Sequence, residues 1–147
     1  MDGKTYTRDN EGCRLVAYKD TRGFWTIGVG HMLGRGPEFD GTEWTQAQAD
    51  SQYDEDYIHA QNGATIDVGA VCWSRLDEVR QSALTDMAFN IGEQGLAGFH
   101  HMIASIIQQD WNTAAAELLS SDYANQVPNR AKKNASILAT GEWPNNA

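Results

Sequence analysis

Two carboxylates and a hydroxyl stand close together near the start of the chain. Glu11 is separated from Asp20 by eight residues, and Asp20 from Thr26 by five. These residue types suit cleavage of a glycosidic bond. One carboxyl group, protonated, gives its proton to the leaving oxygen; the other, ionised, activates a water or attacks the sugar. A threonine hydroxyl both donates and accepts, so it can hold that water. Spacing of this kind also fits two solvated surface carboxylates, so the elements around the trio decide between the two readings.

Residues 2–11 read as a short helix with Asp2 as its cap. Gly12 frees the backbone to turn. Arg14 to Lys19 alternates as a strand, with Leu15 and Ala17 on one face and Val16 and Tyr18 on the other. Asp20-Thr21-Arg22-Gly23 has turn chemistry, and Phe24 to Val29 is a second strand. The pair is a β-hairpin that can bring Asp20 and Thr26 together. Gly28 and Gly30 weaken a strand, which points either to close approach of another group or to a bend. The series from Gly28 to Gly34 is not GxGxxG and no βαβ unit surrounds it, which excludes a dinucleotide fold. Residues 34–43 read as a loop.

Thr45 and Gln48 fit a capping box. The helix they open is mostly polar, suits a link between lobes, and is expected to stop at Asn62-Gly63. Its run Asp54-Glu55-Asp56 reads as a solvated face. Residues 63–73 read as irregular. Ser74 fits the N-cap of a core helix carrying Leu76, Val79, Ala83, Leu84, Met87, Ala88 and Ile91. Gly92, Gly95 and Gly98 then break the chain into short pieces. A helix near 99–108 carries Met102, Ile103, Ile106 and Ile107 on one face; the next, from about Asp110, carries Trp111, Ala114, Ala115, Leu118 and Leu119. The last runs from Pro128 to Thr140-Gly141, and the tail from Pro144 to Ala147 is expected to fray. The outline is α+β and a single domain. A small N-terminal lobe with a β-hairpin and a linking helix span 12–61; residues 1–11 join 62–147 in a larger helical lobe. A ligand site is expected in a cleft between lobes.

The 147 residues carry a formal charge of −9, with a pI near 4.7. That opposes nucleic-acid binding, which rests on cations neutralising phosphates. It also gives no electrostatic help toward an anionic bacterial envelope. No apolar run approaches the roughly 18 residues of a membrane span, and the polar N-terminus lacks the apolar core of a secretory signal. Cys13 and Cys72 make no zinc spacing; both read as thiols of the folded core, a single bridge being the alternative. No metal and no cofactor is expected.

Glu11-Gly12, the Glu11–Asp20–Thr26 spacing and Thr26-Ile27-Gly28-Val29-Gly30-His31 closely resemble the phage-type lysozymes, glycoside hydrolase family 24. The resemblance continues through Ala88–Phe99, Asn125–Lys133 and Thr140–Trp143, covering nearly the whole chain. It is thinnest over 34–73. The fold it implies is lysozyme-like. It implies Glu11 as general acid, Asp20 as the carboxylate that activates or positions water, and Thr26 as the group holding that water. The implied substrate is the β-1,4 bond between N-acetylmuramic acid and N-acetylglucosamine in peptidoglycan glycan strands. By the same resemblance His31 pairs with Asp56, which would raise the His31 pKa. Arg130 reaches Glu11, orienting it in the empty enzyme and loosening when sugar displaces water. Met32 and Phe89 line the saccharide site, each being otherwise a core residue. The family reading implies a monomer without stable membrane anchoring. It would wait in the host cytoplasm until a holin opens the way to the cell wall and periplasm. Two rivals stay open: a wall-binding protein that kept the fold and lost activity, and a lytic transglycosylase.

Overall fold

The computed structural model describes residues 1–145; of the tail, Asn146 and Ala147 lie outside the described residues. The chain divides into two compact units, residues 8–58 and residues 1–7 with 59 onward.

The smaller unit starts in the last turn of α1 (Gly3–Glu11). Asp2 caps this helix as expected, its Oδ1 accepting from the Thr5 N–H at 2.8 Å. Gly12, at φ +72°, releases the chain into β1 (Arg14–Lys19). β2 (Trp25–Gly28) and β3 (His31–Gly34) complete an antiparallel sheet in the order β1-β2-β3. The sheet therefore has one strand more than a hairpin. Ile27 pairs with His31 across Gly28-Val29-Gly30, with both glycines at φ +64°. The apolar run into His31 hides this reversal, because glycines that permit positive φ leave no break in hydrophobicity.

Part of the expected loop is also ordered. Pro37–Phe39 forms a 3-10 turn. Thr42 and Trp44 then hydrogen-bond to Ala17 and Leu15 at 2.9 and 2.8 Å, covering the free side of β1. Ile27, Val29, Ala49, Tyr53 and Tyr57 form the buried apolar set of this unit. Cys13 corrects the sequence reading: it is exposed, just ahead of β1, where Arg14, Leu15 and Val16 are exposed too. Cys72 is half-buried, and both thiols are free.

The capping box is present: the Gln48 N–H donates to Thr45 Oγ1 at 3.1 Å and the Thr45 N–H to Gln48 Oε1 at 2.8 Å. It opens α2 (Gln46–Val68), which does not stop at Asn62-Gly63. Ala60, Ala64 and Val68 are buried in the core of the larger unit, and their burial outweighs the local stop signal. Gly63 serves packing instead: a Cβ there would lie 2.9 Å from Glu93 Cβ. The helix ends at Gly69, at φ +89°.

The larger unit continues with α3 (Ala70–Arg75), in a stretch expected to be irregular. Ser74 lies inside α3 and bonds Val71 O; Asp77 caps the core helix α4 (Glu78–Ala97), accepting from the Arg80 N–H at 2.9 Å. Ala83, Leu84 and Met87 are fully buried on α4, and Gly92, at φ +80°, kinks it. α5 (His100–Ile107) and α6 (Trp111–Leu119) bury the expected faces except for Ile107 and Leu119, which are exposed at the helix ends. α7 (Asp122–Gln126), capped by Ser121, was not foreseen. α8 (Pro128–Thr140) starts on proline and ends at left-handed Gly141, whose N–H bonds Ile137 O at 2.7 Å. Among the described residues, no helix is long and apolar enough to cross a membrane, and no three His, Cys, Asp or Glu side chains are grouped to hold a metal ion.

Candidate active site

Glu11, Asp20 and Thr26 all lie in the smaller unit. Glu11 is the last residue of α1, half-buried, and its carboxyl group rests on Gly30. A Cβ on residue 30 would stand 2.6 Å from Glu11 Oε2 and 3.0 Å from Cδ. Gly28 makes similar room for the Trp44 ring, at 3.0 Å. Both sequence readings of these glycines therefore hold: each turns the chain, and each admits a side chain. Gly30→Ala adds left-handed strain of about 1–2 kcal/mol and also displaces Glu11. Gly41→Ala is the matched control, since Gly41 has φ +81° and nothing within 4 Å of a Cβ. The expected result, on the peptidoglycan substrate that the resemblance implies, is a loss of rate of about 100-fold for Gly30→Ala, with Gly41→Ala near wild type. Equal rates in the two variants would contradict a positioning role for Gly30.

Asp20 opens the turn between β1 and β2. Its Oδ1 accepts from the backbone N–H groups of Arg22 and Phe24, both at 2.9 Å, and its Oδ2 faces Arg22 Nη2 at 3.3 Å. Burial works to raise its pKa. The backbone donors of Phe24 and Arg22 and the Arg22 guanidinium outweigh it, holding the carboxyl below the usual range. Asp20 is thus kept ionised, as a water-activating group needs. Thr26 is buried on β2, and its hydroxyl donates to Phe24 O at 3.2 Å. The hydroxyl oxygen keeps its acceptor capacity.

Register sets Thr26 between two further side chains. Tyr18 stands opposite Thr26, and Thr26 opposite Met32, so the three form one row across the sheet. Burial is the main cause raising the Tyr18 pKa, and the charges of Glu11 and Asp20 add to it. Tyr18 therefore feels both carboxylates while facing Thr26. The sequence reading passed over it, because alternation alone does not say which neighbour a strand residue meets. Met32, in the same row, is 45% exposed, which suits contact with a ligand better than a place in the core.

His31 pairs with Asp56, Nδ1 to Oδ2 at 2.6 Å, as the resemblance implied. Gln52 donates to Asp56 Oδ1 at 3.0 Å, and Trp44 lies against the imidazole with centroids 5.6 Å apart. The hydrogen bond to Asp56 is the largest cause raising the His31 pKa above 6.5, against burial. A histidine raised in the folded state lends stability that is full below the unfolded value and is lost as pH rises through the folded one. His31→Asn is expected to cost about 1–3 kcal/mol near pH 5.5 and progressively less at higher pH. Urea titrations across pH 5 to 9 measure this; a cost that does not change with pH rules out the charged pair.

Phe89 and Arg130 belong to the larger unit. Phe89 is half-buried on α4, packed against the core. Arg130, on α8, forks onto Asp86 of α4 through Nε and Nη2, both at 2.9 Å. Asp86 is fully buried and also accepts from Thr7 Oγ1 at 2.8 Å and Asn134 Nδ2 at 2.9 Å. Asn134 Oδ1 in turn accepts from the Tyr6 hydroxyl at 2.7 Å. The sequence reading missed this network. Its signal was available: Asp86 and Asn134 are polar residues standing among core positions of their helices.

The phage lysozyme family matches residues 8–134. "Probable T4-type lysozyme 1" of Dictyostelium discoideum is 25% identical over 162 residues, covering 94% of this chain and 94% of that protein. "Pre-baseplate central spike protein Gp5" of Enterobacteria phage T4 is 31% identical over 155 residues, covering 91% of this chain and 27% of that protein. The "Endolysin" of Lactococcus phage c2 is 32% identical over 125 residues, covering 81% of this chain and 52% of that protein. With a family match that takes in all of Glu11, Asp20 and Thr26 and most of both units, the chain belongs to the phage lysozyme family.

Proposed function

We propose that this peptidoglycan-lysing enzyme of lysozyme type hydrolyses the β-1,4 bond between N-acetylmuramic acid and N-acetylglucosamine. The observation that carries the reading is the Tyr18–Thr26–Met32 row, in which Tyr18 is under the charge of both Glu11 and Asp20. Glu11 gives its proton to the glycosidic oxygen as the bond to the muramic C1 breaks. Asp20, ionised, takes a proton from a water held by Thr26, and the water oxygen bonds to C1. The products are a muramic reducing end and a glucosamine with a free 4-hydroxyl. Met32 and Phe89 would present apolar surface to sugar faces. In this reading the enzyme is a monomer acting on glycan strands of the wall after a holin releases it from the host cytoplasm.

Digestion of purified peptidoglycan followed by mass spectrometry tests the proposal. Reducing muramic ends are the expected result. 1,6-Anhydro ends would make the enzyme a lytic transglycosylase, whose chemistry needs no activated water. No release at all would leave a wall-binding protein.

A further inference from the structure

The net charge of −9 conceals a local reversal. Residues 12–37 carry Arg14, Lys19, Arg22 and Arg35 against a single carboxylate, Asp20. That segment is +3, so the other residues together hold −12. All four cations are exposed. Register gathers three of them at one end of the sheet. Lys19 ends β1 opposite Trp25, Gly34 ends β3 opposite Trp25, and Arg35 follows it. Arg22 sits in the turn that joins β1 to β2, beside Asp20.

Two of these cations, Lys19 and Arg35, are held by rings alone. Arg8, Arg80 and Arg130 are paired with Asp50, Asp77 and Asp86. At the sheet end all three cations lean on rings, and Arg22 also faces Asp20 at 3.3 Å. Lys19 Nζ is 5.2 Å from the Trp25 centroid, and the guanidinium carbons of Arg22 and Arg35 are 5.0 and 4.3 Å from the Phe24 centroid. Among the described residues, neither Lys19 nor Arg35 has a carboxylate partner. Aromatic faces hold these side chains in place without neutralising them. Their charge stays available to an outside anion, next to Asp20.

We propose that Lys19, Arg22 and Arg35, backed by Phe24 and Trp25, form a docking surface for the carboxylates of the peptide stems of peptidoglycan. The proposal rests on the muramidase reading only for the identity of the polymer. A polymer cleaved at Asp20 passes this sheet end, and every stem adds negative charge close to the bond. Net charge acts on approach over distances near the Debye length of about 10 Å. The surface acts at contact, where the nearest charges dominate, so an acidic enzyme can still hold an anionic wall.

Co-sedimentation with intact sacculi stripped of teichoic acid tests this, using the full chain as Glu11→Gln so that the wall is not digested. Stem carboxylates are left free in one arm and converted to amides in the other. The expected result is that Lys19→Gln/Arg35→Gln raises the apparent Kd for untreated sacculi about tenfold. Amidation should raise the Kd of the Glu11→Gln parent about as much, and that of the double variant, which keeps Arg22 alone, much less. Lys19→Arg/Arg35→Lys keeps the charge and should bind as the parent does, which separates lost charge from a folding defect. Equal binding of parent and double variant, or a parent indifferent to amidation, overturns the proposal. Because binding is read without turnover, a failed digest would sink the muramidase reading and leave this result standing on its own.

Discussion

Glu11→Gln lowers the initial rate of muropeptide release by at least about 10²–10⁴-fold, the range for losing a general acid. Glutamine has nearly the shape of glutamate, so it fills the same space against Gly30, where a single added Cβ would come within 2.6 Å of the carboxyl. The packing at the end of α1 is kept, and the acidic proton is lost. Thermal stability should therefore stay within about 1 kcal/mol of wild type, as for most isosteric changes. Asp20→Ala behaves differently. It removes the acceptor of the Arg22 and Phe24 N–H groups at a turn and so loses activity together with some local order. The comparison separates chemistry from architecture. If Glu11→Gln keeps more than a tenth of the wild-type rate with normal thermal unfolding, Glu11 is not the acid.

The trio itself was legible in the sequence because it sits in a motif whose order is fixed by local turns: a helix end, Gly12, a strand, and an Asx turn at Asp20. Three helix starts were legible for the same reason, since Asp2, Thr45 and Pro128 act within one turn of where they stand, whereas Ser74 was misread because Asp77 holds the cap of the core helix. What depends on distant partners was not. Asn62-Gly63 reads as a stop until Ala60, Ala64 and Val68 find a core. Tyr18 reads as one face of a strand until register sets it opposite Thr26. The basic sheet end is invisible in a charge of −9, because Lys19 and Arg35 are brought to one place only by the third strand, itself hidden behind two glycines. Cys13 went the other way: its residue type suggests burial, but the leading end of β1 is open to solvent.

The largest effect on stability is expected at Asp86, on the core helix α4. Its carboxylate accepts from Thr7, from Arg130 twice and from Asn134, and through Asn134 it is tied to Tyr6. It links the first turns of α1 to α4 and α8 within the larger unit. Asp86→Ala leaves the Arg130 guanidinium, only 10% exposed, without this counter-charge. It also takes an acceptor from buried Thr7 and Asn134. Breaking a buried pair from one side costs about 3–5 kcal/mol, a large share of the roughly 5–15 kcal/mol that holds a domain folded. A fall in Tm of about 10 °C follows for a chain of this size. Replacing both partners, as Asp86→Leu/Arg130→Met, should cost clearly less, because no charge is then left buried alone. Urea unfolding at neutral pH distinguishes the cases. A double variant as unstable as Asp86→Ala would mean that Asp86 matters for the Thr7 and Asn134 hydrogen bonds rather than for charge. A single variant losing under 1 kcal/mol would mean that water replaces the carboxylate, which a fully buried site gives it little room to do.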